Sequence, residues 1–233
     1  EKGHEPIISK LYLNRNIDKT LFKKIKNDKV LLLAGESFCG KSEISKQIAY
    51  KLNNEGYLFK RVDDTKEAIS FLTVKDNIKR ICVLEDPFGH TFSNEKENEL
   101  RNLNNLIDNL SSKSLLIVTT RTEVLLNVSG AKSIDELQIN KFKWIDLSNR
   151  NSNFLIKLWK SVTKEQNLSE TNIELVTVYL KNENILQIGQ LIHLSRIEEL
   201  KEKNYSIEEL IHFAQVDAKE LSASIFKLEN QTW

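Results

Sequence analysis

Gly35-Glu36-Ser37-Phe38-Cys39-Gly40-Lys41-Ser42 is the stretch on which the reading of this chain turns. It follows the continuous apolar run Val30-Leu31-Leu32-Leu33-Ala34, the pattern of a strand buried on both faces. It leads into Ser42 to Leu52, where Ile44, Ile48, Ala49 and Leu52 form a helical stripe. The stretch fits G-x-x-x-x-G-K-[ST] in full, in the strand-to-helix context that gives the pattern its meaning. Gly35 lets the chain leave the strand sharply, and Gly40 lets backbone N–H groups converge on phosphate oxygens without a Cβ in the way. Lys41 supplies a mobile positive charge for β and γ phosphates. Ser42 offers a hydroxyl to Mg²⁺ at a helix N-terminus, where the dipole favours anions. With seven glycines in 233 residues, a chance match is on the order of 1%. The residues expected to bind ATP or ADP are therefore Gly35, Glu36, Ser37, Phe38, Cys39, Gly40, Lys41 and Ser42.

Two further strand ends complete a site. Arg80-Ile81-Cys82-Val83-Leu84-Glu85-Asp86 is an apolar strand closed by two carboxylates, the pattern of a Walker B element. By position Glu85 is the acid on the Mg²⁺ side with Ser42, and Asp86 is the base that orients a water. The usual first acid is Asp, so which of the two serves Mg²⁺ stays open. Leu115-Leu116-Ile117-Val118-Thr119-Thr120-Arg121 is a buried strand ending in two hydroxyls and a guanidinium. Arg121 can fork onto a γ-phosphate through charge-assisted hydrogen bonds. Alone it would read as a surface Arg at a strand end; beside the other two motifs it reads as a sensor. Lys41, Glu85, Asp86 and Arg121 are the catalytic candidates.

Around these motifs strands and helices alternate. Tyr57 to Val62 and Phe142 to Leu147 are further strand candidates, and Leu100, Leu103, Leu106, Ile107 and Leu110 mark an amphipathic helix. Alternation of this kind implies an α/β fold, a parallel sheet with helices on both faces. The character changes near Ser148. From Phe154 onward the apolar spacing is helical, with Ser206 and Ser169 as N-cap candidates and Glu209 at the capping-box position after Ser206. We expect an α/β domain over 1–148 and a helical lid over 149–233, its C-terminal end cut short.

Composition narrows the function classes. Hydrophobic residues are 40% and charged ones 29%, and 34 basic against 33 acidic residues leave a net charge of +1. This balance points away from a cationic nucleic-acid wrapper or a polybasic membrane binder. No apolar run nears the roughly 18–20 residues of a membrane helix. Two cysteines make at most one bridge, so the cytoplasm is the expected compartment. The chain starts Glu1-Lys2-Gly3-His4 and has no Met; a piece of a longer protein would explain both, and that question stays open. The histidines lack metal-ligand spacing. Cys82, Trp144, Trp159 and Phe88 read as packing residues, and Lys23, Lys24, Lys26 and Lys29 as a solvated helix face.

The three motifs together resemble the STAND class of P-loop NTPases, which includes NACHT, plant-resistance and bacterial antiphage (Avs-like) ATPases. Leu11-Tyr12-Leu13-Asn14-Arg15-Asn16-Ile17-Asp18 is similar to that class's N-terminal motif, which implies a place for Arg15 near base and ribose. Glu85-Asp86 sits where the class carries two acids, Thr119-Thr120-Arg121 is similar to its Thr-Thr-Arg sensor, and Trp144 to Ser148 resembles the strand leading into its helical subdomain. The resemblance spans roughly residues 8–200. It implies a three-layer P-loop NTPase sandwich with a five-stranded parallel sheet of order 5-1-4-3-2, followed by helices. It also implies a slow ATPase switch in an antiphage defence protein. In that cycle ADP holds a closed form, and the ATP form homo-oligomerises and drives effector and sensor partners. The Gly-x-Pro stretch usual in the class is missing, since Pro6 and Pro87 are the only prolines, so ATP over GTP is not set by it. Two alternatives stand: an AAA+ (origin-recognition-like) ATPase acting on DNA, and a P-loop scaffold with little turnover.

Overall fold

The computed structural model describes residues 5, 6, 8, 12–89, 96–148, 151–164 and 166–215. Leu11 of the N-terminal motif and residues 216–233 of the expected lid lie outside the described residues. The chain divides into two units: residues up to Glu36 together with Lys41–Ser148, and Ser37–Gly40 together with the chain after Ser148.

The first unit is an α/β layer structure. Its elements are α1 (Asp18–Asp28), β1 (Val30–Gly35), α2 (Lys41–Asn54), β2 (Leu58–Val62), α3 (Thr65–Leu72), β3 (Arg80–Glu85), α4 (Lys96–Asp108), β4 (Ser114–Arg121), α5 (Thr122–Ser129), β5 (Gln138–Ile139) and β6 (Phe142–Asp146). The sheet runs β2-β3-β4-β1-β6-β5. Five of these strands pair in parallel, in the order the STAND resemblance implies once β6 is counted as the fifth.

Among the described residues the sheet has six strands rather than five. The extra one, β5, lies antiparallel on β6 with Ile139 opposite Phe142. It is made by the turn at Asn140, whose φ of 54° suits the left-handed region that Asn tolerates in tight hairpins. Two residues carry no alternation, so no periodicity marks this strand.

All residues of β1 are buried, as are all of β3 and β4 up to their last residues. Alternation along the strands splits them between two faces. Val30, Leu32, Ala34, Cys82, Leu84, Leu116 and Val118 pack with Phe71 and Leu72 of α3, Leu103 and Leu106 of α4 and Leu125 of α5. Leu31, Leu33, Ile81, Val83, Leu115 and Ile117 face the opposite way, where α1 packs on β1 and α2 on β3 and β4. Trp144 and Phe88 are buried. The lysine-rich α1 keeps its lysines at the surface, where Lys24 and Lys26 pair with Asp28 and Glu55, each at 2.6 Å.

The second unit carries α6 (Ser152–Thr163), α7 (Glu170–Lys181), α8 (Ile188–Leu194), α9 (Glu199–Glu202) and α10 (Ile207–Ala214). Trp159 is fully buried and donates its indole N–H to the Ile173 carbonyl at 3.0 Å. Buried Asn172 ties α7 to α9 and to the segment between α9 and α10. It donates to the carbonyls of Leu200 and Lys203 and accepts from the Tyr205 N–H. Ser206 caps α10 in a full capping box with Glu209. Ser169 stands at the N-cap position of α7 but makes no cap hydrogen bond. Its hydroxyl is drawn to Asn204 Oδ1 instead, a side-chain acceptor that sequence spacing does not reveal. No helix among the described residues is long and apolar enough to cross a membrane.

Candidate functional site

The C-terminal ends of β1, β3 and β4 are neighbours in the sheet, and every catalytic candidate sits on or just beyond one of them. Register places Gly35 beside Arg121 and Glu85 beside Thr119. Parallel α/β sheets bind ligands at this edge, where side chains and loop amides from adjacent strands converge.

The phosphate loop leaves β1 at Gly35. Glu36 N–H donates to Ser148 Oγ at 2.8 Å, and Leu147 N–H donates to the Ala34 carbonyl at 2.8 Å, so the end of β6 fastens the loop's first step. Phe38 has a φ of 63° and Gly40 a φ of 88°. The second suits glycine; the first puts a side chain in the left-handed region. Within the second unit, Gly189 N–H donates to the Phe38 carbonyl at 3.0 Å. Cys39 is buried. Lys41 opens α2 and donates its ammonium to the carbonyls of Gly35 and Glu36 at 3.0 and 2.9 Å, spanning the loop's near side. Ser42 follows as the next residue of α2.

The two acids differ in their partners. Asp86 leaves β3 with a φ of 45°, and its N–H donates to Thr119 O at 2.7 Å. Thr120 Oγ1 donates to its Oδ1 at 3.0 Å and Arg121 Nε to its Oδ2 at 3.1 Å. Gly89 N–H closes the turn on the Asp86 carbonyl at 2.8 Å, and a Cβ on Gly89 would stand 2.5 Å from Asp86 Oδ2. Glu85 Oε2 accepts from the Arg61 guanidinium on β2, while Oε1 is buried with no hydrogen-bond partner. Arg121 also lies 3.6 Å from Glu123.

Arg15 belongs to a cluster at the start of α1. Asp18 Oδ2 accepts from Tyr12 Oη at 2.8 Å and from the Arg15 N–H at 2.9 Å. Burial, then the bond to Asp18, pushes the Tyr12 phenol far above its usual pKa. Glu43 adds to that shift, which sets the cluster in the electrostatic neighbourhood of the first turn of α2.

The profile of one family, described as Novel STAND NTPase 3, matches residues 12–168 and so takes in all three motifs. The chain belongs to the novel STAND NTPase 3 family. Among curated proteins none matches it. Solved structures similar to this STAND chain are AAA and Walker-type ATPase folds. Domain III of the Thermotoga maritima replication initiation protein DnaA is 14% identical with a TM-score of 0.52, over 87% of this chain and 93% of that one. The FIGL-1 AAA domain in complex with ADP is 13% identical with a TM-score of 0.57, over 96% and 90%. The Walker-type ATPase PABY2304 of Pyrococcus abyssi is 12% identical with a TM-score of 0.58, over 98% and 79%. At these identities the likeness is one of fold.

A nucleotide with Mg²⁺ is implied by the family, and the residues fit it. Glu85 Oε1 is a buried acceptor without a protein donor, the kind of atom that a hydrated cation satisfies. Asp86 already accepts from Thr120 and Arg121, whereas Glu85 Oε1 accepts from no protein group, which makes Glu85 the candidate to hold Mg²⁺ with Ser42. Held there, Mg²⁺ would neutralise charge on the phosphate oxygens. Sequence reasoning missed Arg61 altogether, because a charged residue on an edge strand carries no motif. It also missed Ser148 as a partner of the loop, which sits 112 positions away in the chain.

Proposed function

We propose that this STAND domain is a nucleotide switch that binds ADP tightly, exchanges it for ATP slowly, and signals the presence of the γ-phosphate through Arg121. The observation that carries the reading is the contact of Arg121 with Asp86 at the sheet edge beside the phosphate loop. A γ-phosphate competes for the same guanidinium. Contacts that differ between diphosphate and triphosphate are the only ones able to shift a two-state equilibrium.

Lys41 and the loop amides bind the phosphates in both states. Asp86, released from Arg121, orients the attacking water, so hydrolysis resets the switch. Arg15 lies by base and ribose. In the full cycle the ATP form homo-oligomerises and drives attached effector and sensor partners, in a cytoplasmic antiphage defence protein. The STAND family supports this part of the reading, and the ADP complex of the similarly folded FIGL-1 domain supports a site that takes a nucleoside diphosphate.

The test is to denature the purified protein and identify any released nucleotide by chromatography. Near-stoichiometric ADP is the expected result. A protein that carries none and turns over ATP rapidly overturns the slow-exchange switch.

A further inference from the structure

Arg61 belongs to no motif, yet its guanidinium holds Glu85. It stands on β2 opposite Val83, so Arg61 and Glu85 are diagonal neighbours on one face of adjacent strands. That is the face on which α2 packs against β3, the helix that begins with Lys41 and Ser42.

The atoms of the pair are used unequally. Arg61 Nη2 meets Glu85 Oε2, whereas Oε1 is buried without a partner. The Glu85 side chain is 15% exposed and that of Arg61 49%. A carboxylate with one unmatched buried oxygen would gain by turning towards water. The charge-assisted bond to Arg61 opposes that rotation. An ordinary surface ion pair leaves both carboxylate oxygens in solvent and holds little; this one fixes the acid with its second oxygen held inside the site.

We propose that Arg61 is a positioning residue, one that fixes Glu85 so that Oε1 receives a water of hydrated Mg²⁺ accompanying the nucleotide. This rests on the nucleotide-site reading above. Arg61 touches neither nucleotide nor metal; it acts through Glu85. A lysine keeps the charge but lacks the planar donor geometry, so it substitutes in part.

The experiment titrates Mg²⁺ into the full chain with a fluorescent ADP analogue and reads analogue affinity, with Arg61→Ala, Arg61→Lys, Glu85→Gln and Lys41→Ala in parallel. In EDTA, Arg61→Ala binds the analogue as the wild type does. With Mg²⁺ it needs roughly tenfold more cation for half-saturation, the scale seen when a ligand's outer partner is removed. Arg61→Lys recovers part of that shift, and adding Arg61→Ala to Glu85→Gln shifts it no further. An unchanged Mg²⁺ half-saturation in Arg61→Ala overturns the proposal alone, as does an equal loss of affinity with and without Mg²⁺. A wild type that binds no analogue, or a Lys41→Ala variant that binds it unchanged, overturns the site reading and the proposal with it.

Discussion

Arg121 Nε donates to Asp86 Oδ2 at 3.1 Å, which joins the proposed γ-phosphate sensor to the candidate base across the ends of β4 and β3. Thr120 donates to the other carboxylate oxygen at 3.0 Å, so both oxygens of Asp86 are tied to the end of β4. Sensor and base therefore restrain each other. On the reading proposed above, a γ-phosphate that drew Arg121 away would both register the triphosphate and release Asp86, so one guanidinium would link sensing to hydrolysis.

Replacing Arg121 by Ala should therefore separate the two nucleotides. ADP affinity stays near wild type. ATP affinity falls by roughly ten- to a hundredfold, since a hydrogen bond to a charged group is worth about 1.5–3 kcal/mol. Calorimetric titration of both nucleotides checks this. Equal losses for ADP and ATP would remove the sensor role.

Lys41 spans the loop by donating to the carbonyls of Gly35 and Glu36. Lys41→Ala removes the charge that faces the phosphates in either state, so both nucleotides are lost. A ligand present at a hundred times its Kd stabilises a protein by about 2.7 kcal/mol. Mg·ADP should accordingly raise the melting temperature of the wild type and leave that of Lys41→Ala where it was. A ligand-induced shift in the variant would show that the loop does not hold the phosphates through Lys41.

Gly189 and Phe38 meet within the second unit more tightly than any side chain at 189 allows. A Cβ there would lie 2.8 Å from Phe38 Cβ and 2.9 Å from its Cδ1. The first of these atoms is fixed to the backbone and cannot swing aside. Gly189→Ala should destabilise the chain by roughly 1–3 kcal/mol, the range for overpacking. Phe38→Gly in the same chain should return most of that loss, because it removes the clashing Cβ at a residue whose φ is 63°. Thermal melts of both single variants and the double variant test the coupling. Strict additivity would mean that the two residues do not press on each other.

The parallel strands were legible in the sequence for a physical reason. Strands buried on both faces must be apolar throughout, and Val30–Ala34, Ile81–Leu84 and Leu115–Val118 are. The phosphate loop was legible because its chemistry demands particular residues at fixed spacing. The pairings were not. Arg61 with Glu85 and Glu36 with Ser148 join residues that are distant in sequence and meet only once strand order is known. The contact between Asp86 and Arg121 joins two residues that the motifs had each assigned elsewhere, one to a water and one to a phosphate. A motif states what a residue does in the loaded state, and says nothing of what it holds otherwise.

Away from the site, Asp76 and Arg80 provide a test of the fold under acid. Arg80 opens β3 with its side chain 8% exposed, its guanidinium 5.7 Å from the Phe71 ring centroid. It forks onto Asp76, with Nη1 to Oδ1 at 2.5 Å and Nη2 to Oδ2 at 2.6 Å, and Ile78 N–H adds a third donor at 3.0 Å. These bonds, that from Arg80 first, bring the Asp76 carboxyl from 3.8 down to about 2. Its folded value lies below its unfolded one, so the folded chain binds fewer protons between them. The stabilisation is thus complete above about pH 4 and is lost as pH falls towards 2. Asp76→Asn keeps the shape but removes the carboxylate charge on which buried Arg80 forks. Its melting temperature should fall below wild type at pH 7, and the gap should narrow steadily from pH 4 to pH 2 as the wild-type carboxyl takes up its proton. A gap that stays constant through this window would mean the fork contributes through shape alone, and the charge on Asp76 would have no part in holding the start of β3.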